Sequence, residues 1–223
     1  MAFGPIMHVK VSDELNIELA PLSKDVMGEF ISPGMQQASI TKYLSHRNGF
    51  VLEDEEEWYE KTRKETNSIV WGVFVLSGDK RTLIGSTSIF GIERKHIHQG
   101  TTGSLLFASE YWGRGIASAI HKARTWYAFQ QLGLHRLKSA VLQPNIGSRK
   151  ALEKSGYTYV YTERNVEFVD GELRHHDCLE CLNPNEPFWS QWWHGERVPN
   201  RSRDARNRTR DALVWAENHV TLL

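Results

Sequence analysis

The run Glu110-Tyr111-Trp112-Gly113-Arg114-Gly115-Ile116-Ala117 limits what this chain can fold into more than any other stretch. It leaves Leu105-Leu106-Phe107, an apolar segment that reads as a buried strand end. It enters a segment in which Ile116, Ile120, Ala123 and Tyr127 recur at helical spacing, with Ala119 and Trp126 beside them. Two glycines therefore sit where a strand turns into a helix. The start of a helix leaves about four backbone N–H groups without internal partners and carries a partial positive charge. Glycine lets a large anion approach that backbone, so a strand, a glycine turn and a helix in succession often bind phosphate. A tight turn that merely needs small residues is the alternative, because short glycine patterns are common.

The next segment narrows the choice. Gly133 reads as a helix cap, residues 137–142 as a short strand, and then comes Gln143-Pro144-Asn145-Ile146-Gly147-Ser148-Arg149-Lys150-Ala151-Leu152-Glu153-Lys154-Ser155-Gly156-Tyr157. With both segments in view, the chain resembles the GNAT superfamily of acetyl-CoA-dependent N-acetyltransferases. The nearest branch is that of the ribosomal-protein N-terminal acetyltransferases and their relatives. That superfamily places a Gln/Arg-x-x-Gly-x-Gly/Ala signature on the CoA pyrophosphate. Here the match is Trp112-Gly113-Arg114-Gly115-Ile116-Ala117, where Gly115 and Ala117 fit and Trp112 replaces the usual Gln or Arg, as this branch often does. A later Asn-x-x-Ser-x-x-x-x-Glu-Lys-x-Gly-Tyr/Phe pattern is matched by Asn145, Ser148, Glu153, Lys154, Gly156 and Tyr157. The resemblance covers about residues 12–183. It implies an α+β fold, a mixed and mostly antiparallel sheet flanked by helices; Pro184 and Pro187 mark a boundary between that acetyltransferase domain, 1–183, and a carboxy-terminal extension, 184–223, that the resemblance does not cover.

A chain of 223 residues can bury a sizeable core as one domain, or as one domain plus an appendage. Lys+Arg and Asp+Glu both total 27, so net charge gives no general pull toward nucleic acid or membranes. The longest apolar stretch, residues 69–76, is far too short to span a bilayer. The amino terminus lacks a basic segment followed by an apolar core, and two cysteines make no disulfide framework. A soluble, reducing, cytoplasmic setting is the expectation.

Residues 16–22 alternate as a first strand, Ser23 is a candidate cap for a short helix through Val26, Met27 and Phe30, and 38–44 reads as another helix. In acetyltransferases of this type, the segment after the first strand helps form the acceptor side of the cleft. Met35, Gln36, Tyr43 and His46 stand there in this sequence, and they also suit ordinary packing. Residues 53–65 read as a charged helix whose opening acids, 53–57, lie near the positive end of its dipole. Those acids are either a solvated helix start or a recognition surface for a cationic acceptor. Strands follow at 69–76, 82–93 and 101–107.

The resemblance implies direct acetyl transfer from acetyl-CoA to a primary amine, with no covalent enzyme intermediate. Gly113, Arg114, Gly115, Ile116 and Ala117 would hold the pyrophosphate, and Arg114 could add a charge-assisted contact. Backbone groups of Leu106, Phe107 and Ala108 would line the pantetheine arm. The matching Asn145 would contact the cofactor arm and Ser148 would lie near its sulfur. Read from the residues alone, Asn145 is also a good N-cap for a helix beginning at Ile146, with Ser148 in its first turn. Ser148 is the expected partner of the departing thiolate, and Tyr157 is its rival, which could equally be packing. The base is open. Relatives often carry a glutamate near the position of Thr101 or Thr102, and threonine cannot do that work at neutral pH. Glu93, His96 and His98 are nearby, and Glu93 is the catalytic candidate among them.

Residues 157–163 and 165–169 read as two strands, and Asp170-Gly171 as a hairpin turn into 173–182. The string His175-His176-Asp177-Cys178-Leu179-Glu180-Cys181 does not read as a metal site. Strand neighbours point to opposite faces, so Cys178 and Cys181 diverge, and structural zinc needs about four ligands. Beyond Pro184 and Pro187 lie Phe188, Trp189, Trp192 and Trp193, then an arginine-rich helix over 203–219. Arg197, Arg201, Arg203, Arg206, Arg208 and Arg210 suit a salt-bridged surface helix or a phosphate-backbone contact. The first expected acceptor is a protein amino terminus or a small-molecule amine. An amine on a nucleic acid or charged tRNA is second, and a non-catalytic acyl-CoA-binding scaffold is third. A homodimer is a further partnership the sequence allows.

Overall fold

The computed structural model describes residues 2–44 and 49–223. The chain forms two compact units, Met1–Phe90 with Gly103–Ile116 and Val220–Leu223, and Gly91–Thr102 with Ala117–His219.

In the first unit, β1 (Met7–Lys10), β2 (Asn16–Ala20), β3 (Ile69–Ser77) and β4 (Lys80–Glu93, through Phe90) pair antiparallel in sequence order. The apolar run of β3 is buried from Ile69 to Val75, the pattern of a strand covered on both faces. β1 alternates, with Met7 and Val9 buried and His8 and Lys10 exposed; at four residues it is too short to stand out in the sequence. The short helices α1 (Met27–Glu29) and α2 (Ala38–Thr41) and the longer α3 (Leu52–Thr62) belong to this unit. Ser23 does precede the first helical turn, but its side chain makes no capping bond. The chain instead runs through successive short turns, broken at Ser32, where φ is −118° and ψ is 121°. Met27, Phe30, Met35, Ile40, Phe74 and Phe107 make a core there, with Trp58 and Tyr59 of α3 against it.

β5 (Gln99–Leu106) begins in the second unit, where its first residues run parallel to β6 (Arg136–Leu142). β8 (Glu172–Leu182) lies antiparallel to β6, and β7 (Thr158–Val169) antiparallel to β8. Residues 157–169 were expected as two strands and are one. Asn165 takes φ of 57° and the register slips between Glu163 and Glu167, so the strand bends without ending. Asp170 and Gly171, both at positive φ, close the hairpin as their sequence predicts. The helices here are α4 (Ile116–Trp126, from Ala117 on), α5 (Ile146–Lys154), α6 (Glu186–Trp193) and α7 (Asn200–His219). α7 turns Ala205, Thr209, Ala212, Leu213 and Ala216 inward. Gly156 lets it come close: at φ of 93°, a Cβ on Gly156 would stand 2.0 Å from Thr209 Oγ1.

Arginines of α7 tie this helix to the segment before it and to the end of α5. Arg206 donates to the Pro184 carbonyl at 2.8 and 3.0 Å, meets Glu186, and stacks on Trp189. Arg208 Nε donates to the Glu153 carbonyl at 3.0 Å. Since Glu186 is largely solvated, the carbonyl and ring contacts carry most of the Arg206 anchor. Arg206→Ala should therefore cost about 1–2 kcal/mol, lowering the melting temperature by roughly 2–8 °C. A thermal melt by circular dichroism reads this directly; an unchanged midpoint would show that the anchor adds nothing. The last residues form β9 (Val220–Leu222), which pairs antiparallel with β1.

Candidate active site

The glycine turn has the backbone its sequence requires. Gly113 and Gly115 take φ of 75° and 85°, conformations that an L side chain adopts only under strain. Space beside Gly113 is open, and a Cβ on Gly115 would meet only Val11 Cγ1, at 3.7 Å. The amides of residues 113–117 make none of the turn and loop backbone hydrogen bonds among the described residues. They lie at the start of α4, where helix geometry also leaves donors unspent. This donor-rich notch on open glycines fits a diphosphate. Ile116 is fully buried and fixes the helix start, while residues 112–115 are exposed.

Trp112 does a job that the sequence did not disclose. Its indole Nε1–H donates to the Leu106 carbonyl at 3.0 Å, which ties the glycine turn back to the end of β5. The amides of Phe107 and Ala108 both donate to the Ile84 carbonyl, at 3.0 and 3.5 Å. The Phe107 ring is turned into the core beside Phe30, centroids 5.5 Å apart, so any cofactor contact there falls to its main chain. Arg114 lies over the Tyr111 ring at 5.4 Å.

In the second unit, Asn145 caps α5 as expected: its Oδ1 accepts the Ser148 amide at 3.2 Å. Both side chains are half-buried. The loop that presents them is held from β8 by Asp177, 3 % exposed, which accepts from Gln143 Nε2 and Thr162 Oγ1 at 3.0 Å each and from the Arg149 guanidinium. Asp177 thus binds residues on both sides of Asn145. Along β8, Asp177, Leu179 and Cys181 are buried while Cys178 and Glu180 are less so, the alternation that parts the two cysteines. Burial pushes the Cys181 thiol up to about 12.

The remaining candidates are tied up. Tyr157 is fully buried, and its hydroxyl lies 3.2 Å from Thr102 Oγ1 and beside Arg124 and Thr125. Burial raises its pKa, so the hydroxyl is an enclosed, weak acid, in keeping with packing. Thr102 also donates to the Lys138 carbonyl at 3.0 Å. Glu93 caps its own loop, accepting from the amides of His96 at 2.7 Å and Lys95 at 2.8 Å. Those bonds, the His96 one foremost, hold its carboxyl below the usual glutamate range. A carboxylate stabilised in this way is a poorer proton acceptor.

On the expected acceptor side, Met35 is buried in the core, Gln36 donates to the Phe50 carbonyl at 3.2 Å, and Tyr43 is half-buried; His46 lies outside the described residues. Within the acidic run, Glu55 is 8 % exposed whereas Glu53, Asp54 and Glu57 are exposed. Burial, with Asp54 beside it, raises the Glu55 carboxyl above the usual range. The sequence signal for this lay in helical phase: Glu55, Trp58, Tyr59 and Thr62 share one face. In the tail, Arg206 and Arg208 bond to the chain's own carbonyls, Arg203 bonds to Asn200, and Arg206 also pairs with Glu186.

Comparison with known proteins bears on the family and the fold. The model of the acetyltransferase (GNAT) domain family matches residues 16–158. A probable N-acetyltransferase, YjcK, of Bacillus subtilis (strain 168) is 30% identical over 151 residues, 68% of this chain and 73% of that protein. Among solved structures, spermidine N-acetyltransferase from Vibrio cholerae, in complex with CoA and spermine, superposes with a TM-score of 0.67 at 19% identity, covering 77% of this chain and 97% of that one. RimJ from Mycobacterium smegmatis, in complex with CoA-disulfide, gives 0.65 at 16% identity over 99% of this chain and 96% of that one, so the fold likeness includes the carboxy-terminal helices. No helix among the described residues is long and apolar enough to cross a membrane. By its glycine turn, its capped Asn145–Ser148 helix start and the family match across most of its length, this chain belongs to the GNAT acetyltransferase family.

Proposed function

We propose that the chain transfers an acetyl group from acetyl-CoA directly to a primary amine carried by a protein amino terminus or a small molecule. The carrying observation is the pair of positive-φ glycines, Gly113 and Gly115, opening a helix with unspent amides. Two relatives in fold support the acceptor class, being by name a spermidine N-acetyltransferase and a ribosomal-protein-S5-alanine acetyltransferase from Vibrio fischeri. Residues 1–183 would carry the transferase, with 184–223 as an addition fastened to it.

Acetyl-CoA supplies the acyl group as an activated thioester. The amides of Gly113 to Ala117 bind its diphosphate, and the main chain of Leu106 to Ala108 with Asn145 orients the pantetheine arm. Held in register, the neutral amine attacks the thioester carbonyl carbon, the new C–N bond replaces the C–S bond, and the proton shed by nitrogen leaves to water. Positioning of this kind lowers a barrier by several kcal/mol. Ser148 passes its hydroxyl proton to the departing thiolate and is reprotonated from the water that took the proton shed by nitrogen, so coenzyme A leaves as the thiol and the serine is restored. Glu93 contributes through the loop it ties, and Tyr157 through packing.

A thiol-release assay with acetyl-CoA across a panel of amines tests the reading. It predicts release that depends on both acetyl-CoA and an amine. Coenzyme binding without release on any amine would favour a scaffold instead. Retention on RNA that falls steeply with salt would move the acceptor to nucleic acid.

A further inference from the structure

The first turn of α5 is held by polar bonds and hardly by packing. Ala151 and Leu152, well inside the helix, are its buried residues, whereas Ile146 is 52 % exposed and a Cβ on Gly147 would meet no atom within 4 Å. A helix start with so few apolar contacts opens readily unless something ties it down. The Asn145 cap joins the Ser148 amide to the loop, but it does not join the loop to the sheet. Asp177 does. It stands on the middle strand of three, opposite Val141 of β6 and Thr162 of β7. One of its carboxylate oxygens accepts from Gln143 and Thr162, and the other accepts from the Arg149 guanidinium. Arg149 Nε donates to Glu153 at 3.0 Å one turn on, which lays the guanidinium along the helix. Thr162 Oγ1 is itself 3.0 Å from the Tyr159 hydroxyl. A carboxylate only accepts, so the Thr162 hydrogen goes to Asp177 and the Tyr159 hydroxyl donates to Thr162. Two of the three donors, Gln143 and Arg149, bracket the segment from Asn145 to Ser148. A single buried carboxylate thus grips this turn at both ends.

We propose that Asp177 is a positioning residue for acetyl transfer: without touching substrate, it sets where the Ser148 hydroxyl stands when the thiol leaves. The inference rests on the transferase reading above and on the part Ser148 plays in it. The grip needs an acceptor on both oxygens. Asparagine would keep one oxygen for Gln143 and Thr162 but would turn its NH2 group toward Arg149, setting donor against donor. Asp177→Asn therefore frees the end of the turn beside Ser148 and spares the end before Asn145.

The test compares the full chain with Asp177→Asn, each with and without Ser148→Ala. In the parent background kcat should fall about ten- to a hundredfold, the loss expected when a reacting group is misplaced by about 1 Å. The calorimetric dissociation constant for coenzyme A should stay within about twofold, because the lost contact serves the chemical step. In the Ser148→Ala background the same substitution should change kcat by less than about twofold, since the two residues act as one unit. A merely structural lesion would subtract the same factor from both backgrounds. If the buried change prevents folding, Arg149→Ala opens the same clasp from the half-buried helix side with a good helix former, and the same pair of results is expected. Amide hydrogen exchange reads the geometry without turnover: the Ser148 and Arg149 amides should exchange at least about tenfold faster in the variant, with Leu152 within about twofold. An unchanged kcat, an equal loss in both backgrounds, or unaltered exchange at Ser148 and Arg149 would each overturn the assignment. No turnover of any amine by the parent would count against the transferase reading, and the exchange arm would still decide whether Asp177 holds the turn.

Discussion

Gly115→Val should weaken coenzyme A binding by about two orders of magnitude and reduce kcat/KM for acetyl-CoA in proportion. The residue takes φ of 85°, a region where a β-branched side chain costs on the order of 1–3 kcal/mol. The nearest chain atom to a Cβ there is 3.7 Å away, so the protein itself has room for the substituent. The larger loss comes from the ligand: branched methyls would stand over the amides that face the diphosphate, and the backbone would relax out of its donor-presenting shape. Gly78, at φ of 56° in the β3–β4 turn with open space around it, gives the control. Gly78→Val carries similar backbone strain without touching the notch, so it should lower the melting temperature and leave the coenzyme dissociation constant within twofold. Equal effects of the two substitutions on coenzyme binding would reduce the glycine turn to a matter of foldability.

Ser148→Ala should lower kcat by roughly two to three orders of magnitude while leaving coenzyme A affinity within twofold, the range found when one proton-transfer or charge-stabilising group is removed. The substitution spares the helix start, because Asn145 Oδ1 caps α5 through the Ser148 amide and not through its hydroxyl. Asn145→Ala, by contrast, deletes the cap and should cost about 1 kcal/mol of stability. The role assigned to Ser148 makes a further distinction. A thioester built on a more acidic thiol needs less help at its leaving group, so the parent-to-variant ratio should shrink with an aryl thioester. A kcat unchanged by Ser148→Ala would remove the residue from the chemistry.

Where the sequence carried a backbone demand, it was readable. Two glycines between an apolar run and a helical period left few options but a turn at positive φ, and Asn145 ahead of Ile146 announced a cap. The long strand β3 and the Asp170-Gly171 hairpin were visible for the same local reasons. What escaped was set by contacts far along the chain. β1 and β9 are too short to show a period and exist by pairing with each other and with β2. Trp112 marked a departure from the family signature, but only the fold places its indole on the Leu106 carbonyl. Glu93 looked free to act as a base until its loop folded back and filled its oxygens with amides. The acid run hid its one buried member because composition weights all five acids equally, and helical phase alone separates Glu55 from its neighbours.

The most direct test is calorimetric titration of the full chain with coenzyme A, alongside Gly115→Val. A diphosphate held by the amides of residues 113–117 predicts a saturable, single-site heat with the parent that is lost from the variant. No heat with the folded parent, or the same binding curve from both proteins, would contradict the proposal that this turn grips the coenzyme.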